Sequence, residues 1–109
     1  MPTPLIESLE KLRGTPRDGA LLRYSLGLEH LKAGDRSRAI AELREAVVRD
    51  AQYSAAWKAL GRALAEDGRH DEALEAWTRG IEAARAKGDR QAEKEMSVFA
   101  RRLEKQRGG

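Results

Sequence analysis

Trp57-Lys58-Ala59-Leu60-Gly61-Arg62-Ala63-Leu64-Ala65-Glu66-Asp67-Gly68-Arg69-His70-Asp71-Glu72-Ala73-Leu74-Glu75-Ala76-Trp77 reads as a helix, a glycine turn and a second helix. Gly61 falls inside the first helix, where it costs about 1 kcal/mol relative to alanine, so its presence needs a compensating reason. Close crossing of the two helices supplies one, with small Ala73 facing it and Leu60, Trp57 and Trp77 filling the remaining space. Gly68 follows the first helix and suits the left-handed position after a helix end. Asp71 and Glu72 place negative charge in the first turn of the next helix, where the helix dipole favours it.

The same pattern stands earlier in the chain at one constant offset. Leu26-Gly27 matches Leu60-Gly61, Gly34 matches Gly68 and Ala39 matches Ala73, and Asp35 is placed to cap the helix after Gly34. Working outward, a further backward shift by the same offset sets Leu5 in register with Ala39, Leu9 with Leu43 and Leu12 with Ala46, so the segment before Gly14 reads as a lone second helix. After Gly88, Ala92, Met96, Phe99 and Leu103 form a narrow apolar stripe on a helix otherwise carrying charge. Six helices are expected, at about 3-13, 19-33, 36-49, 54-67, 70-86 and 89-106.

Composition agrees with an all-α chain. Of 109 residues 40% are hydrophobic, but there are only one Phe, two Tyr and two Trp, so Ala and Leu carry the apolar content. Val and Ile never alternate with polar residues over a strand-length run. With no cysteine, disulfides, thiolate zinc sites and cysteine nucleophiles are excluded. The 21 cationic and 18 anionic side chains nearly balance, so charge alone does not argue for nucleic acid. No export signal or membrane-spanning run is visible, and a cytoplasmic location is expected.

The period, the Trp57-x-x-Leu60-Gly61 opening and the later Ala73 resemble the tetratricopeptide repeat (TPR) family. The first copy departs from it, with Arg23 at the opening tryptophan position, and neither copy has the proline that usually follows the second helix. The resemblance implies a short α-solenoid of antiparallel helix pairs forming one domain: a capping helix in 1-17, repeats at 20-53 and 54-87, and a solvating helix with a basic tail in 88-109.

It also implies a function. In this family the first helix of each pair lines a concave face, which places Leu21, Tyr24, Leu28, Leu31 and Lys32 beside Ala55, Lys58, Arg62 and Ala65. Such a groove suits a peptide or helix of a partner protein, with apolar anchors next to acidic residues. Relatives that hold a chaperone's terminal carboxylate use Lys, Asn and Arg, whereas Tyr24, Leu28, Ala59, Asp89 and Glu93 stand here, which disfavours that role. Two other uses compete: self-association as a homodimer, and phosphate contact through Arg101, Arg102, Lys105 and Arg107, the weaker of the two because no aromatics are interleaved.

No enzyme is expected. His30 and His70 lie in no sequence spacing with acids that resembles a metal or triad site, and no glycine-rich phosphate loop exists. No cofactor is expected.

Overall fold

A computed structural model describes residues 3–108. Six helices follow in order: α1 (Pro4–Glu10), α2 (Ala20–Lys32), α3 (Arg36–Arg49), α4 (Ser54–Glu66), α5 (His70–Lys87) and α6 (Arg90–Gly108). No strand occurs among the described residues. The molecule measures 43 × 30 × 18 Å, and the shortest dimension is about two helix diameters.

The helix ends are set by local chemistry. Thr3 accepts from the Ile6 amide and Asp35 from the Arg38 amide, each filling a donor that the first turn leaves open. Gly34, Gly68 and Gly88 take φ of +82°, +78° and +72°, so each lets the chain leave a helix at a conformation that costs other residues more. Although neither second helix is followed by a proline, α3 stops after 14 residues at Asp50 whereas α5 runs 18 and ends at Gly88.

Successive helices pack on one another from α2 to α6. The mid-helix glycines mark the crossings, and each also receives a large side chain from the next helix. A Cβ on Gly27 would stand 2.6 Å from Leu43 Cγ and 3.4 Å from the Ala39 carbonyl oxygen, and one on Gly61 would strike the indole of Trp77, so the Ala39 backbone does come close as expected while a large side chain also presses on each glycine. Leu43 and Trp77 occupy equivalent positions of the two repeats, so the knob over the glycine belongs to the repeat. A third crossing was not apparent in the sequence: a Cβ on Gly80 would meet Met96 of α6 and stand 2.7 Å from Trp57 Cβ.

The main core runs through α3 to α6 and includes Leu43, Trp57, Leu60, Leu64, Trp77 and Met96. Trp57 and Trp77 are both buried, their indole N–H groups donating to the carbonyls of Ala51 at 2.7 Å and Lys58 at 3.3 Å. Met96 and Leu103 are buried as the α6 stripe predicts.

The amino-terminal helix follows the repeat register only in part, since Leu9 and Leu12 pack against the Ile6, Leu22 and Leu26 cluster but Leu5 does not. Leu5 is 51% exposed, Ile6 is buried, and α1 stops at Glu10, leaving Leu12 in the turn beyond it. Among the described helices α1 packs on α2 alone, so one apolar edge serves it. It presents Ile6 and Leu9, three residues apart, to Leu22 and Leu26 of α2.

Candidate functional site

Three helices make the concave side. α4 touches both α2 and α6, whereas α3 and α5 do not meet, so the sheet of helices curls toward α2, α4 and α6. In that curl Leu28, Leu31 and Lys32 of α2 face Ala59, Arg62, Ala63 and Glu66 of α4 across a hollow of about 360 Å³. Alanines at 59 and 63 leave the space, and the leucines give it an apolar wall.

The structure brings together four of the seven groove residues expected from sequence: Leu28, Leu31, Lys32 and Arg62. Leu21 sits on the same helix but is 68% exposed and lies outside the hollow. Tyr24 is occupied with Tyr53, their ring centroids 4.9 Å apart. Burial holds the Tyr53 hydroxyl above its usual pKa, so it stays protonated. Lys58 does not share a basic strip with Arg62, because its Nζ lies 3.0 Å from Glu95 Oε1 on α6. The reason is that α6 packs on α4 and brings Glu95 to Lys58.

Arg62 is different. Its guanidinium lies 5.8 Å from the Phe99 ring centroid, and it has no carboxylate partner among the described residues. Lys32 pairs only with its own neighbour Glu29, at 3.1 Å and with a largely exposed ammonium.

A second polar cluster lies elsewhere, and it corrects the reading of His30. The fold carries Glu10 and Glu42 to His30, with one ligand-type atom of each within 4.8 Å of the others, at a cleft of about 860 Å³ between α1, α2 and α3. Sequence spacing did not show this because the three residues come from three elements. By donor type this trio is suited to a divalent ion. Its carboxylates, however, are already matched by arginines: Arg13 Nε lies 2.7 Å from Glu10 and Arg13 also contacts Glu42, while Arg23 Nη1 lies 3.2 Å from Glu42.

Arg23 further holds Asp18 at 2.8 Å, and the Gly14 amide donates to Asp18 at 2.9 Å. These contacts hold the Asp18 carboxyl well below the usual carboxylate range; the Arg13 hydrogen bond lowers Glu10 in the same way. The cluster thus works as an ionic fastening of α1 and its turn onto α2 and α3. One signal for it was available: Arg23 and Glu42 occupy the positions that Trp57 and Ala76 hold in the next repeat, so charge replaces apolar matter at both members of a packed pair.

Against known proteins, the tetratricopeptide repeat family model matches residues 24–89, more than half of the chain. The chain belongs to the tetratricopeptide repeat family. It is 47% identical over 103 residues to a TPR repeat-containing protein of Pseudomonas aeruginosa, an alignment spanning 94% of this chain and 98% of that one. It is similar to the solution structure of a protein from Bordetella parapertussis, with 38% identity, a TM-score of 0.80 and coverage of 95% of this chain and 90% of the other. A TPR domain protein from Salinibacter ruber is 32% identical with a TM-score of 0.75, covering 80% of this chain and 97% of that one. TPR folds are protein-interaction modules, and the solenoid described above is of that kind. Among the described residues no helix is long and apolar enough to cross a membrane.

Proposed function

We propose that this TPR chain is a cytoplasmic, non-catalytic adaptor that holds a segment of a partner protein against its concave face. The observation that carries this reading is the hollow where Leu28 and Leu31 face Ala59 and Ala63 under Lys32 and Arg62. Apolar walls bind side chains without demanding a fixed direction, and the flanking cations choose among segments by charge. Two repeats bury little area, so a single module binds weakly and exchanges quickly.

A photoreactive amino acid at position 28 tests this in cells. Cross-links to one partner segment from position 28, and none from position 48 on the convex side, are expected. Cross-links from position 48 alone would refute the reading.

A further inference from the structure

Beside the α2–α4 hollow, and sharing Arg62 and Glu66 with it, lies a second one of about 410 Å³ between α4 and α6. Its apolar lining is Ala65, Trp77, Phe99 and Leu103. Trp77 and Leu103 are buried and form a packed floor, whereas Phe99 is only half-buried, its ring tilted 45° against Trp77 at 5.7 Å. An aromatic left partly open over such a floor is a seat for another apolar side chain.

The rim is charged unevenly. Arg62 and Arg102 border this hollow with Glu66 as the one acid, and neither arginine has a carboxylate partner among the described residues. Three other arginines of α5 and α6 pair with acids, Arg85 with Glu93 at 2.7 Å, Arg107 with Asp71 at 2.6 Å and Arg79 with Glu75 at 3.4 Å, but none of those acids lines this hollow. Guanidinium groups are weakly hydrated and suited to carboxylates, so two of them beside an apolar seat favour an anionic side chain there.

We infer that α6, besides covering the second repeat, is a wall of the binding face, and that its hollow anchors an acidic amphipathic segment. A bulky apolar residue enters between Phe99 and Leu103, and an Asp or Glu three or four residues away meets Arg62 and Arg102. That spacing puts both groups on one side of a helical segment, about 5–6 Å apart. The inference rests on the concave-face reading and narrows it to one class of partner.

The test is selection of short random peptides displayed on phage against the full chain, followed by affinity measurements on the synthesised winners using Trp fluorescence. Winners should carry an acid three or four positions from Leu or Phe. Arg102→Glu, on an exposed helix position, should weaken them by about tenfold at low salt, and exchanging the peptide's acid for Lys should restore binding to that variant. Winners without the acid, no winners, or unchanged binding to Arg102→Glu would overturn the inference. If such peptides are instead weakened by Leu28→Ser, the concave-face reading stands without it; if neither variant matters, both fail. Tighter binding of a phosphoserine peptide or of oligo-dT than of the acidic winner would also overturn it.

Discussion

The guanidinium of Arg23 lies 3.2 Å from the carboxylate of Glu42, at the two positions that hold Trp57 and Ala76 in the following repeat. One repeat puts two apolar core residues at these positions, the other an ion pair. Both side chains of the pair are largely buried, 13% and 9% exposed, so neither charge is free to rehydrate without the other moving.

Glu42→Ala leaves Arg23 with Asp18 and Arg13 with Glu10, so it should lower unfolding free energy by about 1 to 3 kcal/mol, the range for losing a hydrogen bond to a charged group. Urea melts read this directly, and a midpoint equal to wild type would show that Glu10 and Asp18 alone satisfy Arg13 and Arg23.

Asp18 makes the same fastening pH-dependent. Its folded pKa is depressed, so the unfolded chain takes up a proton first as pH falls, starting near the ordinary value of 3.8. The stabilisation is complete above about pH 5 and is lost progressively below pH 4. Asp18→Asn should accordingly be less stable than wild type at neutral pH, with the two converging in acid. Parallel stability curves from pH 7 to pH 2 would contradict the assignment.

Gly61 tests the helix crossing. Alanine is the better helix former by about 1 kcal/mol, so propensity alone predicts a gain from Gly61→Ala. The added methyl would strike the buried Trp77 ring, and overpacking of this kind costs about 1 to 3 kcal/mol. The melting temperature should fall. A rise would mean that Trp77 shifts freely and that the glycine is not there for the crossing.

These contrasts show where sequence reading succeeds. The repeat period, the glycine turns and the α6 stripe are local, so six helices and their pairing were legible from single residues such as Gly68 and Met96. The side chains that press on Gly27 and Gly61 were not, because whether Leu43 or Trp77 reaches the glycine depends on helix rotation. The α1 register slipped for a related reason: with only one neighbour, nothing forces Leu5 to follow the repeat. Leu28, Leu31, Lys32 and Arg62 line one hollow as their repeat positions suggest, while the pairing of Lys58 was not legible because Glu95 arrives from 37 residues away. The Glu10, His30 and Glu42 cluster joins three elements and has no contiguous motif.

The central claim is that binding occurs on the face built by α2, α4 and α6. The most direct test is a titration of the isotope-labelled chain with a selected peptide, following backbone amide shifts by NMR. The account predicts that the largest changes fall at Leu28, Leu31, Ala59, Arg62 and Phe99, with Ala41, Arg44, Val48 and Glu75 unmoved. Largest changes at Arg44, Val48 and Glu75, with Leu28 and Arg62 unmoved, would place binding on the convex side and contradict it.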